Sequence, residues 1–288
     1  MDISIIIVSY NTKTLLAKCL DSLRAAIAVE KEIFVVDNCS SDGSAAMVKE
    51  LYPEVRLIAN SANRGFGAAN NQPLADCRGD YVLYLNPDTE VAAGAIAAAV
   101  SYMRAHSQTG LAGARITNPD GSLQESVSYR YPNEKYAGRE TASLAGKIAC
   151  VLGAFMIARK DIIDELKGFD EDFFAYEEDV DLSLRLHNLG YTTLYVPEAL
   201  SYHLGGATSS RMGNFRHCMD AKNWIYIILK NYSTTQLLIY FPSIFIERLR
   251  NISGLIKNTP FKDIPRDVFK TYFEVIRTIP KILKKRYR

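Results

Sequence analysis

The stretch Ile3-Ser4-Ile5-Ile6-Ile7-Val8-Ser9-Tyr10-Asn11 decides the fold, because a largely apolar run ends abruptly in three polar residues. A short run rich in β-branched side chains is typical of a strand buried on both faces of a parallel sheet. A helix opened by Thr12 or Thr14 is predicted to follow. Its apolar residues recur at helical spacing: Leu15, Leu16, Cys19, Leu20 and Leu23. A strand followed directly by a helix is the repeating unit of α/β folds.

The same unit recurs along the first half of the chain. Residues 32–36, 55–59 and 80–85 have the composition of three further strands, and an alanine-rich helix is expected from Val91. This order predicts an α/β fold with a mainly parallel sheet flanked by helices on both faces. Such sheets bind ligands at the carboxyl ends of their strands. Three polar clusters fall there: Ser9-Tyr10-Asn11, Asp37-Asn38 and Asn86-Pro87-Asp88.

Composition and hydropathy narrow the class of protein. Apolar residues make up 48% and charged residues 23% of 288, as in ordinary globular proteins. The longest apolar stretch, residues 237–246, contains Pro242 and is far shorter than the ~20 residues of a spanning helix. No secretory signal is expected from the first residues. The five scattered cysteines are interpreted as reduced thiols of a cytosolic protein.

Charge divides the chain into two parts. Residues 1–211 contain 19 Lys and Arg against 27 Asp and Glu, whereas residues 212–288 contain 15 against 5. We therefore predict a catalytic domain over 1–211 and a basic, amphipathic helical extension over 212–288, with the boundary near the glycine-rich run from Gly205. Apolar stripes run through the extension. It either docks on an anionic membrane surface, or packs on the catalytic domain or in a homodimer interface.

Two motifs carry candidate phosphate and metal chemistry. The carboxylate of Asp88 directly follows a strand, where it can hold a divalent cation against a diphosphate, although Asn86-Pro87-Asp88 also suits a plain turn. In Asn63-Arg64-Gly65-Phe66-Gly67, the glycines let the backbone approach a ligand and Arg64 can pair with phosphate. The alternative is a glycine turn with Arg64 in solvent.

Other acidic residues and one histidine have two interpretations each. Asp37 follows a strand, where its carboxylate can accept hydrogen bonds from a base or ribose, and it is assigned to binding. Asp42 is assigned to capping the helix that follows it. The segment 170–181 is dense in carboxylates and aromatic rings, which suits a general base, but an acidic helix start also suits the helix dipole. His203 follows a predicted strand over 193–196 and Pro197. A lone histidine is more often structural, and only the presence of Asp88 makes His203 a candidate ligand.

Taken together, these segments resemble the inverting glycosyltransferases of family two, which have the GT-A (nucleotide-diphospho-sugar transferase) fold, and among them bacterial rhamnosyltransferases of surface polysaccharide synthesis. The resemblance runs from residue 3 to about 210 and rests on the order of its segments. These are Val8-Ser9-Tyr10-Asn11, Val36-Asp37-Asn38-Cys39-Ser40-Ser41-Asp42-Gly43-Ser44, Asn63-Arg64-Gly65-Phe66-Gly67, Leu85-Asn86-Pro87-Asp88, Asp120-Gly121-Ser122, Gly153-Ala154-Phe155-Met156, Gly168-Phe169-Asp170-Glu171 and Glu178-Asp179-Val180-Asp181-Leu182.

The resemblance implies roles for individual residues. Asp88 matches the metal-binding Asp of the Asp-X-Asp motif, with Asn86 in place of the first Asp. His203 matches a histidine that completes the metal site in some relatives, and the cation is expected to be Mg²⁺ or Mn²⁺. Asp179, in the catalytic Glu178-Asp179 pair, matches the proposed base. The expected donor-binding residues are Ser9, Tyr10, Asn11, Asp37, Asn38, Arg64, Gly65, Asn70, Asn86 and Asp88.

The resemblance also implies an activity and partners. We expect inverting transfer of a sugar, first rhamnose from dTDP-rhamnose, to a hydroxyl of a glycan or lipid-linked acceptor, with no nucleic-acid partner. The expected location is the cytoplasm, peripheral on the inner face of the cell membrane. One alternative is a nucleotidyltransferase, which usually has a glycine-rich and basic signature where Ser9-Tyr10-Asn11-Thr12 stands. The other is a catalytically dead sugar-nucleotide-binding module, supported only by Asn86.

Overall fold

The computed structural model describes residues 1–26, 29–124, 127–129, 149–205, 215–258 and 264–286. The strands are β1 (Ile3–Ser9), β2 (Lys31–Asp37), β3 (Arg56–Ala59), β4 (Tyr81–Leu85), β5 (Thr89–Val91), β6 (Thr109–Thr117), β7 (Leu123–Gln124), β8 (Val127–Tyr129), β9 (Ala149–Val151), β10 (Phe155–Arg159) and β11 (Thr192–His203). The α-helices are α1 (Lys13–Ala25), α2 (Ser44–Leu51), α3 (Phe66–Asn71), α4 (Ala95–Ala105), α5 (Lys160–Leu166), α6 (Glu178–Asn188), α7 (Phe215–Asn231), α8 (Thr234–Asn258) and α9 (Ile264–Lys284).

Nine of the described strands form one sheet, in the order β3-β2-β1-β4-β10-β6-β11-β5, with β7 paired to β6. The strands β3, β2, β1 and β4 are mutually parallel, and β6 pairs parallel with β11. Between these two groups β10 runs antiparallel to both β4 and β6. Six strands therefore share one direction, which confirms the mainly parallel α/β sheet.

Helices cover both faces of the sheet, as the sequence predicts. Alternation along β1 sends Ile3, Ile5 and Ile7 into a core with α1, α2 and α4. Ile6 points the other way, into a second core with residues of β4, α5 and α6. All these isoleucines are fully buried, so the apolar run of β1 forms an interior strand that is covered on both faces of the sheet.

Two boundaries differ from the sequence prediction. The alanine-rich helix begins at Ala95 rather than Val91, because residues 89–91 pair as a strand with the end of β11. The strand predicted over 193–196 continues past Pro197 to His203, with an irregularity between Val196 and Leu200. Pro197 lacks an N–H, and this break in the pairing lets it lie within the strand.

The C-terminal helices pack on the acidic segment. Trp224, Tyr226 and Ile227 of α7 share a buried core with Phe173 and Val180. The interpretation of the extension as a packing element is thus supported for α7. The predicted boundary at 211/212 lies outside the described residues. Within those residues, no helix combines the length and apolarity needed to cross a membrane.

Candidate active site

Strand register brings the first two polar clusters to one edge of the sheet. Ser9 pairs with Asp37 at the ends of β1 and β2, and Ile7 pairs with Leu85 at the end of β4. The residues that follow these strands therefore lie at a common carboxyl edge, where α/β sheets bind ligands.

Asn38 organises the loop that carries Arg64 and Gly65. Its buried amide donates to Asn63 Oδ1 at 2.8 Å and to the Gly65 carbonyl at 3.1 Å, while its Oδ1 accepts the Arg64 N–H at 2.9 Å. The Asn38 amide is thus engaged on both its donor and acceptor sides. Asn38 therefore fixes the shape of this loop.

Asn11 and Asp42 tie the first two strand–helix turns together. Asn11, in the left-handed region with φ 54°, accepts the Ser41 N–H at 2.8 Å and donates its own N–H to Ser40 Oγ at 2.9 Å. Asp42 accepts the N–H groups of Lys13 and Ser44, the first residues of α1 and α2. This geometry matches the capping interpretation of Asp42. Burial raises the pKa of Asp42, but these hydrogen bonds outweigh it and lower the pKa overall.

The remaining predicted binding residues at this edge of the sheet differ in burial and in whether their polar atoms already have partners. The side chain of Asp37 is buried, and its Oδ1 has no hydrogen-bond partner among the described residues, while Oδ2 accepts the Ser40 N–H at 3.0 Å. A buried carboxylate oxygen without a partner is costly unless a ligand supplies a donor. Arg64 is exposed and Tyr10 half-buried, whereas the buried Ser9 hydroxyl is 2.9 Å from Thr12 Oγ1.

Gly65 and Asn70 shape the start of α3. Gly65 has φ +85°, and a Cβ there would lie 2.5 Å from the Phe174 carbonyl oxygen. The neighbouring Phe66 N–H donates to that same oxygen at 2.7 Å. Asn70 is buried and donates to the Phe66 carbonyl at 3.0 Å. The Arg64–Gly65 loop is therefore held against the acidic segment.

Asp88 and His203 meet at the edge formed by β4, β5 and β11. His203 Nε2 lies 3.3 Å from Asp88 Oδ1 and 3.5 Å from Asn86 Nδ2. The Leu204 N–H, next to His203, donates to the Asp88 carbonyl at 3.1 Å. The three residues that the resemblance assigns to the metal corner are thus adjacent, although 115 positions separate Asp88 from His203 in the chain.

Gln124 orients the imidazole of His203. Its Nε2 donates to the His203 carbonyl at 2.8 Å and also contacts Asn118 Oδ1, so its Oε1 faces His203 Nδ1 at 2.9 Å. An amide oxygen accepts only, and therefore Nδ1 carries a proton. In the neutral imidazole the lone pair is then on Nε2, the ring nitrogen nearest Asp88. This is the tautomer that a metal ligand needs. No sequence motif indicates Gln124, because no local pattern links it to His203.

The donor set fits a cation that also binds a diphosphate. Among the described residues, no cluster of three or more His, Cys, Asp or Glu side chains could hold a metal ion. Asp88 and His203 would supply two ligands, which suits an ion completed by phosphate oxygens and water. Mg²⁺ and Mn²⁺ in sites for nucleotides are bound in this way.

Asp179 is linked to the metal corner by one short segment. Its Oδ2 accepts the Gly153 N–H at 3.0 Å, and its Oδ1 accepts the Val180 N–H at 2.8 Å. The next residue, Ala154, accepts the Asn86 N–H at 3.1 Å through its carbonyl. Gly153 and Ala154 therefore connect the predicted base to the Asn86-Pro87-Asp88 turn. The family motif named these two residues but assigned them no role.

The two acids of the predicted catalytic pair differ in environment. Asp179 is half-buried, whereas Glu178 is only 6% exposed and its Oε2 has no partner among the described residues. Burial raises the pKa of Glu178 well above its usual value, and the adjacent charge of Asp179 adds to the effect. Asp179 is thus the more accessible carboxyl group of the pair.

Helix α7 holds the turn that precedes this pair. Tyr176 and Glu177 both adopt left-handed conformations, with φ 68° and 67°, which are costly for residues other than glycine. Asn223 donates to the carbonyls of Ala175 and Tyr176 at 2.8 and 2.7 Å. Strained conformations of this kind cluster at functional sites when the surroundings hold them in place. Asn223 is a second residue that the motifs did not indicate.

Fold and site together define a class, the nucleotide-diphospho-sugar transferases of the GT-A fold. Residues 4–167 match the family model described as glycosyl transferase family 2, and the chain belongs to that family. The glycosyltransferase activity predicted from the sequence is thereby confirmed at the level of the family. The alternative of a nucleotidyltransferase gives way to it.

Individual relatives agree with this assignment. An N-acetylglucosaminyl-diphospho-decaprenol L-rhamnosyltransferase of Mycobacterium tuberculosis is 28% identical over 229 residues, covering 69% of this chain and 75% of the relative. A poly-beta-1,6-N-acetyl-D-glucosamine synthase of Staphylococcus epidermidis is 26% identical and is covered over 50% of its length. The fold is similar to that of a mannosyltransferase from Pyrobaculum calidifontis in complex with GDP-Man and Mn²⁺, with a TM-score of 0.62 and 14% identity over 98% of this chain and 83% of that one.

Proposed function

We propose that this protein is an inverting, metal-dependent glycosyltransferase that transfers rhamnose from dTDP-rhamnose to a hydroxyl of a glycan or lipid-linked acceptor. One observation carries the proposal. Gly153 donates to Asp179, and Ala154 accepts from Asn86. A base and a leaving-group site are thus held on either side of a two-residue segment, as a single displacement at a sugar carbon requires.

The donor nucleotide binds at the carboxyl edge of β1, β2 and β4 in this proposal. The unpartnered Oδ1 of Asp37 accepts a hydrogen bond from the base or ribose. The exposed Arg64 guanidinium pairs with the diphosphate. Asn11, Asn38, Gly65 and Asn70 keep the loops around the nucleotide in shape. Each of these assignments remains a prediction for mutagenesis.

The transfer step follows from the two carboxylates. As the acceptor oxygen forms its bond to the anomeric carbon, Asp179 takes the proton from that hydroxyl. The bond from the anomeric carbon to the diphosphate breaks, and the departing oxygen keeps the electron pair. A cation held by Asp88 and His203 would neutralise the charge on the diphosphate. One displacement without a covalent intermediate inverts the configuration at that carbon.

The substrate assignment rests on the relatives. The M. tuberculosis relative is named for L-rhamnosyl transfer to an N-acetylglucosaminyl-diphospho-decaprenol, which supports rhamnose and a lipid-linked acceptor. The S. epidermidis relative is named for an N-acetylglucosamine polymer, so that sugar is the second candidate. A lipid-linked acceptor also supports a peripheral location on the inner face of the cell membrane.

The first test is product formation from a panel of sugar nucleotides with a lipid-linked N-acetylglucosamine acceptor. Mass spectrometry should show a rhamnose added only from dTDP-rhamnose, and proton NMR of the product should show an inverted anomeric configuration. Transfer of N-acetylglucosamine from UDP-N-acetylglucosamine instead would support the second candidate. If calorimetry shows that the protein binds a sugar nucleotide, but no sugar nucleotide of the panel gives transfer to the acceptor, the catalytically dead module is favoured.

A further inference from the structure

Helix α9 exposes a continuous apolar row. Phe269, Phe273, Ile276, Pro280 and Leu283 recur at alternate steps of four and three residues and therefore lie on one face of the helix. All five are exposed, and Phe269 and Ile276 retain 71% and 67% of their accessible surface. The rings of Phe269 and Phe273 stack at 5.7 Å between centroids. An apolar row of this length in solvent marks an interaction surface.

A row of basic residues runs beside it. Four of these basic residues each come one position after a residue of the apolar row. One position along an α-helix turns about 100°, so all four lie on the same side of the apolar row. The basic row consists of Arg266, Lys270, Arg277, Lys281 and Lys284, and all five are exposed. Helices that carry an apolar face with basic residues along its side lie in the headgroup region of anionic bilayers.

The opposite face of α9 is fixed to the protein. Val275 and Ile282 are buried with Tyr226 and Ile227 of α7, so the helix has a fixed orientation and cannot turn its apolar row inward. Near its end, Lys281 pairs with Asp172, and Lys285 pairs with both Asp170 and Asp172. The helix that exposes the apolar row therefore also grips the segment that leads to Asp179.

Helix α8, which contacts α9, has an exposed apolar row of its own. Leu238, Phe241, Phe245 and Leu249 follow one another at helical spacing and are each more than half exposed. Such a surface exceeds what isolated apolar side chains contribute to an ordinary protein exterior.

We infer that α9, with the adjoining face of α8, is a docking surface for an anionic lipid bilayer. The apolar row enters the headgroup region, and the basic row contacts anionic lipid. A second copy of this chain docked antiparallel through the same face fits less well, because it places the two basic rows side by side, where like charges repel. Docking would also bring the Asp179 side of the site to a lipid-linked acceptor. This last step rests on the proposed function, which supplies the nature of the acceptor.

The test is flotation of the full chain with vesicles of phosphatidylcholine and phosphatidylglycerol, at low and high salt. Wild type should float at low salt and lose binding at high salt, as screening requires. The double variant Phe273→Glu/Ile276→Glu should bind at least about tenfold more weakly. Lys270→Gln/Lys284→Gln should bind roughly 30-fold more weakly, from two lost lipid contacts. Leu51→Glu, at an exposed apolar residue of α2, is the matched control and should float like wild type.

Two further readouts separate the possible outcomes. Sedimentation of wild type without vesicles should show a monomer. The bilayer assignment would be overturned in favour of a second copy by two results together. Wild type would fail to float and would sediment as a dimer, and Phe273→Glu/Ile276→Glu would sediment as a monomer. In Phe273→Glu/Ile276→Glu, transfer to a short, water-soluble acceptor should be unchanged, while transfer to an acceptor embedded in vesicles should fall. Flotation without any transfer would contradict the proposed function and leave the docking surface standing.

Discussion

Gln124 shows how one amide sets the chemistry of a neighbouring residue. It is engaged by the His203 carbonyl and by Asn118, so its oxygen can only face His203 Nδ1. In the neutral imidazole of His203, this contact keeps the proton on Nδ1 and leaves Nε2, the nitrogen nearest Asp88, free to bind a cation. A ligand that is oriented before the ion arrives binds it more tightly, because less freedom is lost on binding.

We therefore expect Gln124→Leu to weaken Mn²⁺ binding by about 10–100-fold, the range for residues that orient a metal ligand. Calorimetry in the presence of the donor nucleotide measures this affinity directly and needs no turnover. Ser122→Ala is the matched control, since it removes two hydrogen bonds of the same turn, with Asn118 and Asp120, at a side chain that does not contact His203. Unchanged Mn²⁺ affinity in Gln124→Leu would show that His203 is not a ligand or that its orientation does not matter.

Helix α7 is coupled electrostatically to the acidic segment through one buried lysine. Lys230 is buried and contacts Asp170 Oδ2 at 2.7 Å and Asp181 Oδ1 at 2.8 Å. Arg185 of α6 donates to the other oxygen of Asp181 at 2.8 Å. Burial raises the pKa of Asp170. The charge and hydrogen bond of Lys230, with hydrogen bonds from Lys285 and the Asp172 N–H, together outweigh burial and hold the pKa far below its usual value.

Lys230→Met should destabilise the protein by about 3 kcal/mol, the lower end of the range for a broken buried pair. Asp170 and Asp181 lose a buried cation and, among the described residues, keep only Lys285 and Arg185, respectively, as cationic partners. Urea unfolding at neutral pH measures the loss. Lys222→Met is the control on the same helix, since its partner Glu274 is 40% exposed and 3.5 Å away, and it should cost far less. Equal losses in both variants would contradict this role for Lys230.

The same contacts predict the pH dependence of stability. A carboxyl group whose pKa is depressed in the folded state contributes stability above its unfolded pKa, about 4 for Asp, and loses it as pH falls towards the folded value. The free energy of unfolding of wild type should therefore decrease below about pH 4. In Lys230→Met this decrease should be smaller, since the pKa of Asp170 moves back towards its unfolded value.

At the scale of the whole molecule, local patterns in the sequence predicted the sheet better than the site. The apolar run of β1 and the polar residues behind it gave the edge of the sheet correctly, because burial and periodicity are local properties. The partners Gly153, Gln124 and Asn223 escaped motif analysis as functional residues. Each acts through a contact with a residue at least 26 positions away, and no spacing rule records such contacts.

For the C-terminal helices, the sequence predicted the amphipathic character but not which face is buried. Charge counting separated residues 212–288 from the rest, and helix periodicity predicted that they are amphipathic. It could not tell which face is buried, because an apolar stripe looks the same in a core and at a surface. Packing resolves this for α9, which carries one apolar face against α7 and a second one in solvent.

The central claim is that Asp179 is the base of a glycosyl transfer, and turnover of Asp179→Asn measured beside donor binding tests it most directly. The asparagine keeps the shape of the side chain and can still accept one backbone N–H, but it cannot take a proton. We predict that turnover falls by roughly 10²–10⁴-fold, while calorimetry gives a donor affinity within error of wild type. Near-wild-type turnover in Asp179→Asn would contradict the account, because a residue that only begins α6 and holds Gly153 can be replaced in this way without loss.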